Sequence, residues 1–194
     1  MKSQEIAYII PGYLFSPNQA QYKQIAGYFK ARSIVPISVT IQWKEKTIME
    51  SVTDFLEWDS QNQATKRYIL GFSFGAIIAL IASTKITVDT LILCSLSPFF
   101  QEDLLVVPSS FTHDLDAKQV EEFKKMNNRE LVKKITANTF VLYGLKEGEF
   151  VEKRAKSTFE NLSAKKHLIA IDGVKHDIAD KNYQKIIEGI IKKL

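Results

Sequence analysis

The sequence predicts an α/β fold built on a mainly parallel, six-stranded sheet with helices on both faces. Three observations predict it. Short apolar runs of strand length recur along the chain. Segments with apolar residues at helical spacing alternate with them. The pentapeptide Gly71-Phe72-Ser73-Phe74-Gly75 joins one apolar run directly to an apolar helix pattern. Alternation of this kind needs helical crossovers, and these build parallel sheets covered on both sides.

Ile6 to Ile10 is a continuous apolar run, as expected of a strand buried on both faces. A loop follows at Pro11 to Asn18. A helix is predicted from about Pro17 to Arg32, with Tyr22, Ile25, Ala26 and Phe29 on one face. Ile34 to Trp43 reads as a strand whose Pro36 favours a strand start or a sheet edge. Thr47-Ile48-Met49-Glu50 has the form of a capping box. The helix it opens carries Ile48, Val52, Phe55 and Leu56 on one side.

Strand 66–71 and helix 74–84 flank the serine turn. Val88 to Ser95, Thr139 to Tyr143 and Lys166 to Ile171 complete the strands. Helices are predicted at about 150–162 and 180–194, the last with Tyr183, Ile186, Ile187, Ile190, Ile191 and Leu194 in register. Residues 98–138 carry no strand signal. They hold a loop rich in Ser, Pro and Phe, then a helix from Asp116 (with Gln119 three residues on) to about Met126, then a second short helix. This insertion is either a substrate-facing lid or a crossover helix with a long entry loop.

With 194 residues, 45% of them hydrophobic and 25% charged, the chain can bury a core as one domain. No run approaches the length of a membrane span. No basic-then-apolar leader precedes the first strand. Cys94 is the one cysteine and has no internal partner. A cytoplasmic protein is the expectation. The net charge is +4, from 22 Lys and 4 Arg against 22 acidic residues. Basic residues gather at Lys124, Lys125, Arg129, Lys133 and Lys134. They form either a solvated helix face or a landing site for an acidic partner. No stripe pairs them with stacking aromatics, so nucleic acid is not expected. There is no phosphate-binding glycine loop and no His/Cys cluster with metal-ligand spacing, so neither cofactor nor metal is expected.

A serine at a sharp strand-to-helix turn exposes its hydroxyl, and glycines on either side permit the close approach of neighbouring chains. To act as a nucleophile it needs a base and a group that orients the base. Of three histidines, His167 falls within a strand pattern and His113 in the insertion. His176 follows strand 166–171, at the carboxyl edge where catalytic groups gather in open α/β sheets. The acid should sit at the same edge. Glu147 is the candidate and Glu149 the near alternative. Glu102 and Asp103 hold a further possible position. Asp177 adjoins the base in sequence, where side chains diverge. Two backbone N–H groups should face the developing oxyanion. Phe74 would supply one, and Tyr13, or alternatively Leu14, the other.

The order of oxyanion loop, Ser73, acid and His176 resembles the α/β-hydrolase superfamily over nearly the whole chain. The resemblance rests on Pro11-Gly12-Tyr13, Gly71-x-Ser73-x-Gly75, Gly144-x-x-Glu147 and Val174-Lys175-His176-Asp177. It implies one α/β-hydrolase domain over residues 1–194, in a reduced form lacking the family's two leading strands. Ser73 is then the nucleophile, His176 the general base, Glu147 the acid, and Tyr13 and Phe74 the oxyanion donors. The chain departs from the family in having Pro11 where the loop usually reads His-Gly, and Glu where the acid is more often Asp.

The class of reaction implied is hydrolysis of a carboxylic ester or thioester. Phe15, Phe72, Phe74, Phe99, Phe100 and Phe111 fall at the expected active edge and suggest an apolar acyl pocket. Ser95 to Phe100, with Leu142-Tyr143-Gly144, is similar to the carrier-protein-linked pimeloyl methyl ester esterases of biotin synthesis, whose acidic carrier would suit the basic insertion. A non-catalytic binding module on the same scaffold and an acyltransferase are the other readings.

Overall fold

The computed structural model describes residues 4–108 and 115–194. In chain order the elements are β1 (Glu5–Ile10), α1 (Ala20–Lys30), β2 (Val35–Ser38), α2 (Ile48–Ser60), β3 (Lys66–Phe72), α3 (Phe74–Ala82) and β4 (Thr90–Cys94). They continue with α4 (Ala117–Phe123), α5 (Asn128–Val132), β5 (Asn138–Gly144), α6 (Glu149–Asn161), β6 (Lys166–Ile171) and α7 (Lys181–Ile191). The six strands form one sheet in the order β2-β1-β3-β4-β5-β6, and every neighbouring pair is parallel.

Strand periodicity divides the core in two. Ile6, Tyr8, Ile10, Ile69, Leu91, Leu93, Val141 and Tyr143 point to one face, where they meet α2, α3 and the buried residues of α4, α5 and α6. Ala7, Ile9, Leu70, Phe72, Ile92, Cys94 and Leu142 point to the other, covered by α1 and α7. The continuous apolar runs in the sequence are therefore strands buried on both sides. In α3 all nine residues are buried, so the helix has no polar face to show to water.

The strand expected over 34–43 stops at Ser38. Its register with β1 explains this: Ser38 lies opposite Ile9, Val39 N–H reaches Ile9 C=O, and β1 ends one residue later at Ile10. The alternation that continues to Trp43 serves burial rather than pairing, since Val39 and Trp43 join the core beside Phe55. Pro36 lies in the edge strand, where its missing N–H costs least.

Both capping boxes read from the sequence form. Thr47 accepts from Glu50 N–H, and Asp116 accepts from Gln119 N–H. The insertion is fastened to α2 by Glu122, whose carboxylate accepts from Thr47 Oγ1 (2.8 Å), Ile48 N–H (2.9 Å) and Met49 N–H (3.1 Å). These amides are the unpaired donors of a helix N-terminus, where a negative charge is favoured. Phe123, Met126, Val132 and Ile135 are buried in the same core as α3. From 115 to 138 the insertion thus packs as the crossover between β4 and β5. Among the described residues no helix is long and apolar enough to cross a membrane.

Two glycines give opposite tests of this packing. Gly27 is in α1 and a Cβ there meets nothing within 4 Å, so Gly27→Ala should stabilise the fold by about 0.5–1 kcal/mol. A Cβ on Gly75 would stand 2.3 Å from Pro11 O and 2.4 Å from Ile10 O, both backbone atoms that cannot step aside. Gly75→Ala should cost about 3 kcal/mol, the upper end of overpacking penalties, in denaturant unfolding.

Candidate active site

The site forms where five strands end side by side. The register carries Ile10 opposite Gly71, Phe72 opposite Cys94, Cys94 opposite Leu142 and Gly144 opposite Ile171. The loops after β1, β3, β4, β5 and β6 therefore emerge at one edge. The chain turns from β1 outward to β2 and then returns to β3 on the other side of β1. That reversal opens the crevice in which α/β sheets bind ligands.

Ser73 is the N-cap of α3, with φ 56° and ψ −117°. A left-handed φ is costly for a non-glycine residue, on the order of 1–3 kcal/mol. The surroundings hold it. Ser73 N–H donates to Cys94 C=O (2.9 Å), and Ser73 C=O accepts from Ala76 N–H (3.0 Å). A Cβ on Gly71 would lie 2.3 Å from Gly75 O, so β3 and α3 approach as only glycine allows. The same approach brings Gly12 against the turn: a Cβ there would stand 3.3 Å from Ser73 Cβ. Gly12 N–H donates to the buried Tyr22 hydroxyl (3.1 Å), which fastens the loop after β1 to α1. Tyr13 and Phe74 pack ring against ring at 5.2 Å, and Tyr13 also meets Trp43. Leu14 is exposed, with φ 61°.

Ser73 Oγ lies 2.9 Å from His176 Nε2, and His176 Nδ1 lies 2.7 Å from Glu147 Oε2. The loops that carry His176 and Glu147 are laced together. Leu145 N–H donates to Ile171 C=O (2.9 Å) and Lys146 N–H to Val174 C=O (2.8 Å). A Cβ on Gly144 would stand 2.4 Å from Val174 O, so a glycine is needed here as well. The Glu147 side chain is 0% exposed and that of His176 is 40% exposed. Glu147 Oε1 accepts from Gly144 N–H (2.5 Å) and from Ser95 Oγ (2.7 Å). The ring of Phe72 lies against the imidazole at 4.9 Å.

The other carboxylates are engaged elsewhere. Asp103 and Glu102 close around the buried Arg154 guanidinium, and Asp103 also accepts from Phe100 N–H. Burial raises the Asp103 carboxyl, and the Arg154 contacts oppose that rise. Glu149 pairs with Lys153 on the exposed face of α6. Asp177 accepts from Ala179 N–H within its own turn. His167 in β6 stacks on Phe140 of the neighbouring β5, away from this edge. Of the phenylalanines expected around an acyl pocket, Phe74 and Phe99 pack together with Phe123, and Phe15 is exposed beside Phe72. Phe100 is instead fully buried beneath the Arg154 guanidinium. Phe111 and His113 lie outside the described residues. Of the basic cluster on the insertion, Lys124 pairs with Glu121 and Lys133 with Glu130.

Four contributors were given no role at the site by the sequence. Ser97 is 4% exposed, and its Oγ lies 2.9 Å from Ser73 Oγ. Ser95, with φ 49°, links Glu147 to Tyr183, whose hydroxyl lies 2.9 Å from Ser95 Oγ. Burial first, then Cys94 and Glu147 nearby, raise the Tyr183 hydroxyl well above its ordinary value, so it remains a donor. Burial likewise keeps Cys94 a thiol. The available signal was Ser95-Leu96-Ser97 itself: small polar residues closing an otherwise apolar strand at the active edge. Tyr22 gave no such signal, because on α1 it reads as one more core residue.

No protein-family model and no curated protein sequence matches the chain. Solved structures do match, at low identity. Est1E from Butyrivibrio proteoclasticus superposes with a TM-score of 0.85 and 13% identity, over 100% of this chain and 87% of that one. A putative hydrolase from Agrobacterium vitis S4 gives 0.82 and 12%, over 98% and 87%. Alpha/beta hydrolase domain-containing protein 10 from mouse gives 0.76 and 16%, over 100% and 90%. With the strand order and the loops gathered at one sheet edge, these likenesses identify the architecture: the chain has the α/β-hydrolase fold, in a reduced form of six parallel strands.

Proposed function

We propose that this chain is a serine hydrolase that cleaves a carboxylic ester or thioester through an acyl-enzyme on Ser73. The observation that carries the proposal is the continuous hydrogen-bonded line from Ser73 Oγ through His176 to the buried Glu147 carboxylate. As a carboxylate, Glu147 accepts at both oxygens, so Nδ1 of the imidazole carries the proton. Nε2 is then free to accept the Ser73 hydroxyl proton. Oγ attacks the substrate carbonyl as His176 takes that proton. The N–H groups of Tyr13 and Phe74 hold the developing oxyanion. Collapse expels the alcohol or thiol, which receives the proton from His176. Water then attacks the acyl-enzyme by the same route, releasing the acid and restoring Ser73.

The remaining features suit this chemistry. Phe74 lies at a helix N-terminus, where amides lack intrahelical partners. Tyr13 follows Gly12, which is seated against Ser73. The aromatic cluster of Tyr13, Trp43, Phe74 and Phe99 beside the turn favours an apolar acyl group. The name of one structural neighbour points the same way, since ferulic acid is bound to Est1E in a second structure of that protein.

A fluorophosphonate probe should label the wild-type protein at Ser73, and Ser73→Ala should abolish both labelling and ester hydrolysis. Labelling that survives in that variant would overturn the assignment. Because the base must be neutral to accept the Ser73 proton, kcat/KM on a chromogenic ester should fall toward acid; a rate that does not fall in acid counts against a histidine base.

Glu147→Gln tests the acid. The amide would donate toward Nδ1 and favour the tautomer in which Nε2 holds the proton. We expect kcat/KM to fall roughly 10³-fold or more with the fold intact by circular dichroism. Glu149→Gln, on the exposed face of α6, should stay near wild type. The reverse ranking would move the acid to Glu149.

A further inference from the structure

Hydrogen counting around Ser73 leads beyond the three residues of the relay. With Nδ1–H donated to Glu147, His176 Nε2 has only a lone pair to offer. Ser73 must therefore donate its single hydroxyl hydrogen to Nε2. Its remaining contact, Ser97 Oγ at 2.9 Å, must then be the donor. Ser97 Oγ has no other hydrogen-bond partner among the described residues. Both hydroxyls are sheltered, with Ser73 8% and Ser97 4% exposed. Ser97 is also held by its backbone, since its C=O accepts from Phe99 N–H (3.0 Å). The donors run in one direction: Ser97 to Ser73, Ser73 to His176, His176 to Glu147.

From this polarity we propose that Ser97 is a further catalytic residue, whose hydroxyl assists the departure of Ser73 Oγ when the acyl-enzyme is hydrolysed. The inference rests on the serine-hydrolase reading above. A donor aimed at Oγ acts differently in the two halves of the reaction. During acylation it draws charge from the nucleophile and slightly opposes attack. In the acyl-enzyme, Oγ is an ester oxygen and a poor acceptor. When the tetrahedral intermediate formed by water collapses, the bond between the carbonyl carbon and Oγ breaks. The electron pair moves to Oγ, and the proton on His176 Nε2 follows. The Ser97 bond strengthens as that charge appears, so it favours the transition state over the ground state.

The test separates the two half-reactions in the full chain. Acylation by p-nitrophenyl butyrate is read as the p-nitrophenolate burst in stopped flow. Deacylation is read from the lifetime of the acyl adduct by intact-mass spectrometry after excess ester is removed. In Ser97→Ala we expect acylation to stay within about threefold of wild type and the adduct to persist about tenfold longer, the effect of one lost hydrogen bond of about 1.4 kcal/mol. Ser97→Thr keeps the hydroxyl and should restore turnover. A structural role alone would slow acylation, deacylation and fluorophosphonate labelling together, and that outcome overturns the proposal. So does an adduct that decays at the wild-type rate in Ser97→Ala. If wild type forms no adduct and takes no label, the serine-hydrolase reading itself has failed, which is a distinguishable result.

Discussion

Close backbone approach at Gly71 and Gly75 is the constraint on which the rest of the structure depends. A Cβ at either position would fall 2.3 Å from a carbonyl oxygen, Gly75 O in one case and Pro11 O in the other. These contacts press β3, α3 and the loop after β1 into one point. The chain can turn between β3 and α3 in such a space only by placing Ser73 in the left-handed region. Ser73 is thereby set at the sheet edge, with Gly12 seated against its Cβ. The strain at one residue is borne by a buried helix and a double-sided core.

A second backbone contact does for His176 what the first does for Ser73. Gly144 lets β5 run against Val174, and two hydrogen bonds lace the loops after β5 and β6. Glu147 and His176 are therefore registered to each other by contacts that do not involve Ser73. The carboxylate is fully enclosed, and its inner oxygen is satisfied by Gly144 N–H and Ser95 Oγ. A buried charge needs such donors to be tolerated. The longer reach of Glu compared with Asp is taken up by this arrangement, since Oε1 returns to the backbone of its own loop while Oε2 faces the imidazole.

Much of the site was legible in sequence because it follows from local rules. A serine between two glycines, flanked by an apolar strand and an apolar helix, is a turn in almost any context. His176 and Glu147 could be named because both follow strands on the same side of a parallel sheet. Glu102 and Asp103, the position ranked behind Glu147 and Glu149, also follow a strand at that edge. Their exclusion needed Arg154, which lies some fifty residues later and is brought to them only by the packing of α6. The over-long second strand has a related cause: alternation reports burial, and Val39 and Trp43 are buried without being paired. The insertion left two possibilities open in sequence, and the contacts of Glu122 and Phe123 show residues 115–138 packed as a crossover.

By itself the sequence determined the periodic elements, the alternation that makes the sheet parallel, and the turn that displays Ser73. Each depends on residues within a few positions of one another, where backbone sterics and side-chain period act directly. Tertiary structure alone decided which carboxylate faces His176, which hydroxyls surround Ser73 and Glu147, and how Tyr22 holds the loop after β1. Those choices join residues from 10 to 52 positions apart. They depend on strand register and on where glycine permits contact, and neither is visible until the sheet is assembled.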